Sequence, residues 1–99
     1  MTYIDSIVDK VREATHIKDN GLVQAYALLV LIKGTDITRR DVHDAWAMNM
    51  NFKPRTDKCF GYDHKSIVPF SYLAVDVQEK DDKYVEALKK VAKKLDFYG

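Results

Sequence analysis

Apolar residues recur at steps of three and four through most of the chain, and the breaks between these runs divide it into helices. Ile4, Ile7, Val8, Val11 and Ala14 share one face of a segment charged on its other side, which predicts a first helix from Thr2 to about Thr15. Leu22 to Ile32 is apolar on nearly every side and interrupted only by Gln24; with Asn20 or Gly21 opening it and Gly34 as a left-handed stop, it reads as a second helix. The β-branched residues near its end admit a strand, but its length and bracketing favour the helix. Such a helix has to be covered all round, at the centre of the core or partly in a contact between subunits.

Thr38-Arg39-Arg40-Asp41 has the spacing of a capping box with Asp in place of the usual Glu, and Val42, Ala45, Trp46 and Met50 follow as the inward face of a third helix that ends before Pro54. From Asn51 to Ser66 the residues are polar and aromatic without a period, as in a long ordered loop. Ile67-Val68-Pro69-Phe70 reads as a short extended apolar plug and Ser71 to Leu73 as a single helical turn. A last helix is predicted from about Asp81 to Phe97, with Tyr84, Ala87, Leu88, Val91 and Leu95 on one face and acids before lysines along its length, as the helix dipole favours. The expected fold is all-α: one domain over residues 1–99, a small bundle of about four helices with a long ordered loop.

Composition narrows the function classes. With 99 residues, 46% of them hydrophobic, the chain supports one modest core without metal or disulfide staples. A net charge of +1 supplies no global field for a nucleic-acid backbone or an acidic membrane, so neither is an expected partner. The single cysteine, Cys59, excludes an intramolecular disulfide and suits a reducing compartment, the cytoplasm. No apolar run approaches the roughly 20 residues of a membrane span, and Met1 to Asp5 lacks a signal-peptide pattern.

Few residues point to catalysis. His43 has Asp41 and Asp44 too close in sequence to face it squarely, and it reads as a hydrogen-bonded structural histidine. His64 lies beside Ser66 with no third triad member, and its spacing from Cys59 matches no catalytic signature. Three scattered histidines and one cysteine provide no metal-ligand spacing, and no cofactor is expected. No glycine-rich phosphate loop is present, so any phosphate has to be held by side chains such as Arg39, Arg40, Arg55 and Lys65 or by helix N-termini. Asp81 and Asp82 read as helix N-terminal charges, and the lysines of the last helix as a solvated face rather than a nucleic-acid track. Trp46 is either a core packer or a stacking platform, on which a base contributes about 1–3 kcal/mol. Phe52, Phe60 and Tyr62 are available for the opposite wall.

The run Asp41-Val42-His43-Asp44-Ala45-Trp46-Ala47, followed by His64-Lys65-Ser66-Ile67-Val68-Pro69-Phe70 and Leu73, resembles the ryanodine-receptor repeat, the RyR domain. That family carries a His-x-x-Trp helix, a variable loop, a His-Pro-x-Leu-Val-Pro-type segment, and an acidic-basic stretch before a final helix, represented here by Glu79-Lys80-Asp81 and the helix through Leu88. The likeness covers about residues 37–98, with residues 1–36 as an N-terminal helical extension. Lys65 stands where the family often has Pro, Gln78 replaces a frequent Lys, and the loop lacks the family's Gly-Trp-x-Tyr-Gly segment.

The resemblance implies a stand-alone bacterial or phage form that binds a nucleotide-derived ligand, of adenine, ADP-ribose or cyclic-nucleotide type, without turning it over. The implied ligand-binding residues are His43, Trp46, Phe52, Arg55, Phe60, Tyr62, His64, Lys65 and Ser66. In a phage the role would be a sponge that sequesters a host immune signalling nucleotide in the host cytoplasm. Because the channel repeats occur in pairs, a homodimer or higher homo-oligomer, with the second helix as the candidate surface, is also expected. The competing reading is an interaction module that docks on a host protein through the same helix and the aromatic loop.

Overall fold

Helix boundaries in the computed structural model, which describes residues 2–52 and 68–95, follow the capping chemistry. Helix α1 (Tyr3–Thr15) starts where the Thr2 hydroxyl accepts from the Asp5 N–H and the Asp5 carboxylate accepts from the Thr2 N–H. Asp19 caps α2 (Asn20–Lys33) by accepting from the N–H groups of Gly21 and Leu22, and Gly34 ends it at a φ of 57°. A 3-10 turn over Gly34–Asp36 leads to α3 (Arg39–Asn51), whose start repeats the reciprocal box with Thr38 and Asp41. A second 3-10 turn at Phe70–Tyr72 precedes the short α4 (Val75–Glu79) and the final α5 (Asp82–Lys93). Among the described residues every regular element is helical, and the fold is a small all-α bundle.

Helix α2 is the centre of the packing and lies against α1, α3 and α5. It buries Val23, Tyr26, Ala27, Leu29 and Val30 among Ile7 and Val11 of α1, Val42 of α3, and Val85, Leu88, Val91 and Ala92 of α5, with Ile37 and Leu95 closing the ends. Removing such side chains from water is the main stabilising term of the domain, at about 1.5–3 kcal/mol for each large one. Helices α1 and α2 therefore share one core with α3 and α5.

Two polar clamps set α2 antiparallel to α3. At one end Lys33 lies 3.7 Å from Asp41. At the other, Asn49 Nδ2 donates to Asp19 at 3.2 Å, and the Asn49 side chain packs so closely on Gly21 that a Cβ there would stand 2.6 Å from Asn49 Oδ1. This crossing places Leu22 and Tyr26 beside the middle turns of α3.

The structure departs from the sequence expectations in four places. Helix α2 is not covered all round, because Leu28 and Ile32 are 55% and 65% exposed on its outer side. Ile4 and Ala14 flank the buried stripe of α1 instead of lying within it. The five-residue α4 was not expected, since little more than one turn is too short to show a helical period. Helix α5 stops at Lys93 rather than Phe97; Leu95 is still buried beyond it, and Phe97 lies outside the described residues. Most of the expected long loop, residues 53–67, also lies outside them.

Leu88→Ala is expected to destabilise the domain by roughly 2–5 kcal/mol in urea unfolding, because the side chain is wholly enclosed. Leu28→Ala should change stability by less than about 0.5 kcal/mol; equal losses would contradict the placement of the core.

Candidate functional site

Trp46 follows His43 by three positions, nearly one helical turn, so both side chains leave α3 on the same side. Facing them are Leu22 and Tyr26 of α2 and, on the returning chain, Leu73, Val77, Asp81 and Tyr84. Together they line an open cleft of about 740 Å³, within the range of small-molecule sites.

His43 is the structural anchor of this cleft. It is only 4% exposed, and its Nε2 lies 2.6 Å from the Val68 carbonyl oxygen. A carbonyl has no proton to give, so Nε2 carries one and donates it. The same ring lies 5.7 Å from the Trp46 ring and 6.0 Å from the Phe70 ring, centroid to centroid. The expected hydrogen-bonded structural histidine is what the structure contains, and it lines the cleft as well. Gln78 strengthens the same wall: its Nε2 donates to the carbonyls of Phe70 and Leu73 at 3.0 and 3.1 Å, which fastens the 3-10 turn onto α4.

The acidic pair at the start of α5 divides its work. Asp82 accepts from both Nε and Nη2 of Arg39, a bidentate pair that joins α3 to α5 and holds the Asp82 carboxyl below the usual range. Arg39, a sequence candidate for phosphate, is thereby committed to Asp82. Asp81 has no such partner. It is the N-cap residue of α5, but its backbone is already helical (φ −80°, ψ −11°), so its side chain caps nothing, unlike those of the extended Thr2, Asp19 and Thr38. Burial pushes its carboxyl upward; the positive potential at His43 opposes this, Asp82 adds to it, and Arg39 opposes it. Burial also pushes the Tyr26 phenol upward, with smaller contributions from the Asp81 charge and from Tyr84, whose ring centroid is 5.9 Å away. At the rim the Lys83 ammonium stands 4.9 Å from the Tyr84 ring centroid, with Lys80 beside the same cleft.

Of the residues expected from the sequence, the structure brings His43 and Trp46 together in the cleft. Phe52, the C-cap of α3, is 74% exposed and does not line it. Arg55, Phe60, Tyr62, His64, Lys65 and Ser66 lie outside the described residues. Sequence reasoning missed Tyr26, Asp81 and Tyr84 as cleft residues. A tyrosine inside an otherwise apolar helix was the available signal for Tyr26, because a buried phenol needs a polar neighbour.

Elsewhere, Lys10, Lys83, Lys90 and Lys94 share a groove between α1 and α5 with Glu13 and Glu86, and these acids dilute the basic face. Among the described residues no three His, Cys, Asp or Glu side chains gather as metal ligands do. No described helix is long and apolar enough to cross a membrane.

The fold holds Asp81 at a raised pKa, so between its unfolded and folded values the native state binds more protons than the unfolded one. Stability contributed by this group therefore falls as pH rises through that window. Asp81→Asn is expected to raise Tm by a few degrees at pH 7, with the gain shrinking as pH falls into the carboxylate range. A loss of Tm at pH 7 would show that the carboxylate supports the fold.

No curated protein and no solved structure matches the chain. A family model described as a domain of unknown function, DUF7701, matches residues 2–93. This match takes in all five α-helices and both walls of the cleft, and the chain belongs to the DUF7701 family.

Proposed function

We propose that this domain binds a nucleotide-derived small molecule in the cleft between α3 and the α4–α5 turn and releases it unchanged. The observation that carries the reading is the juxtaposition of Trp46, the half-buried Asp81 carboxylate and a rim of mixed charge, Lys80 and Lys83 with Glu79 and Asp82, in one cleft of ligand size. An indole face stacks on any nucleobase, the carboxylate accepts from base N–H groups, and Lys80 and Lys83 suit phosphate.

The RyR-like reading has support of the same kind. Its two motif segments, the His-x-x-Trp of α3 and the Val68-Pro69 strip, meet at the hydrogen bond from His43 to Val68. Within this reading the domain acts by sequestration, which needs equilibrium affinity and slow release rather than chemistry. His43, the most tempting general base among the described residues, directs Nε2 to a backbone carbonyl.

The second reading, an interaction module, is favoured by Leu28 and Ile32 exposed on α2. The two readings use different faces, so one experiment separates them.

Purified protein would be screened by thermal shift against mononucleotides, ADP-ribose and cyclic nucleotides at low and high salt. A ligand at 100 times its Kd should add about 2.7 kcal/mol of stability, several degrees in Tm. Trp46→Ala should remove that shift while the free protein still unfolds cooperatively. No shift with any nucleotide, or an unchanged shift in Trp46→Ala, would contradict the assignment.

A further inference from the structure

Two buried side chains in the wall of the cleft each keep a polar atom that the fold does not use. Tyr26 of α2 is 1% exposed and His43 of α3 is 4% exposed, and both line the cleft. Among the described residues the Tyr26 phenol takes part in no hydrogen bond, and His43 engages the Val68 carbonyl through Nε2 alone. No fully enclosed side-chain nitrogen or oxygen lacks a partner, so the small open part of each residue is where its polar atom meets the cleft. The Asp81 carboxylate lines the same space from the start of α5, without a hydrogen bond or ion pair among the described residues, and its charge acts on both the phenol and the imidazole. Polar groups this deep are ordinarily satisfied within the protein, and here three of them from three helices share one opening.

The three atoms have one capacity in common, which is to accept. With its Nε2 proton given to Val68, a neutral imidazole has a lone pair at Nδ1. An ionised carboxylate only accepts, and the phenol oxygen accepts while keeping its own proton, which burial and the Asp81 charge hold in place. Once Asp82 is assigned to Arg39, Glu79 and Asp81 balance Lys80 and Lys83, so the rim as a whole favours neither sign of charge and the acceptors decide. A carboxylate or phosphate would bring further acceptors and a charge that Asp81 repels. An alcohol has one proton to give. A primary ammonium has three N–H donors and the charge that offsets Asp81. The Lys83 ammonium, 4.9 Å from the Tyr84 ring centroid, already places one such cation beside an aromatic side chain of this cleft.

We propose that the cleft binds a primary amine, whose ammonium donates to the Tyr26 phenol oxygen, His43 Nδ1 and the Asp81 carboxylate while its apolar body lies against Leu22, Leu73 and Val77. This goes beyond the nucleotide reading and does not rest on it, because buried side chains of α2 and α3 carry it rather than Trp46 and the rim. Asp81 serves both ligands, so an amine and a nucleotide exclude one another. The proposal also gives the Tyr26 hydroxyl a purpose that packing does not: within the described structure a phenylalanine would fill the same place.

The test is NMR titration of the protein with phenethylamine, a primary ammonium at neutral pH with an apolar body, beside phenethyl alcohol and phenylacetate as neutral and anionic counterparts of similar size. The amine is expected to shift the backbone amides from Asp81 to Tyr84 saturably and to bind about ten- to a hundredfold more tightly than the alcohol, as hydrogen bonds to a charged group allow. Phenylacetate should leave those amides unmoved. Tyr26→Phe removes an oxygen that bonds to nothing in the described structure, so its melting curve should match that of the wild type while amine affinity falls about three- to tenfold. Asp81→Asn, confirmed folded by its melting curve, should bring the amine down to the affinity of the alcohol. Equal binding of amine and alcohol, preference for phenylacetate, unchanged amine affinity in either variant, or no amine binding at millimolar concentration would overturn the proposal. None of these results decides the nucleotide screen, so the two readings fail separately.

Discussion

One hydrogen bond, from the buried imidazole of His43 to the carbonyl of Val68, fastens the returning chain to the helical bundle. Without it the polar ring of His43 would be buried with no partner for Nε2, at a cost of about 1–3 kcal/mol. With it, the Phe70 ring comes to the imidazole, Gln78 secures the turn that follows, and α5 starts where Asp82 can reach Arg39. The cleft is the space left between α3 and this returning segment. Its shape therefore depends on a contact that is itself part of the lining.

The bundle and the cleft make opposite demands on the chain. Burial around α2 is nearly ideal for stability, with Tyr26, Ile7, Val30 and Leu88 essentially inaccessible to water. The acid at Asp81 works against that economy, because it is partly desolvated and unpaired within the described structure. Asp82 illustrates the alternative: one residue further on, the same side-chain type is satisfied by an arginine and supports the fold.

Much of the fold was legible in the sequence, because its determinants are local. The Thr38 to Asp41 box, the Gly34 stop and the stripe of Ile7 and Val11 each act over a few residues, and each defines its helix as expected. The exposure of Leu28 and Ile32 was not legible, since it depends on which neighbours α2 receives and not on its own composition. The site was only half legible. His43 and Trp46 share a helix face, so spacing alone unites them, whereas Asp81 and Tyr26 come together across 55 positions of sequence by packing of α5 on α2. Local reading made Asp81 a helix-terminal charge; only the fold sets that carboxylate beside a buried phenol and imidazole.

The central claim is that a nucleotide occupies this cleft, and amide and indole NMR shifts recorded while mononucleotides, ADP-ribose and cyclic nucleotides are added in turn test it most directly. The account predicts that the Trp46 indole N–H and the backbone amides from Asp81 to Tyr84 move together and saturate at one stoichiometric site, with Leu28 and Ile32 unmoved. Shifts centred on Leu28 and Ile32, or a spectrum unchanged at saturating nucleotide, would contradict it.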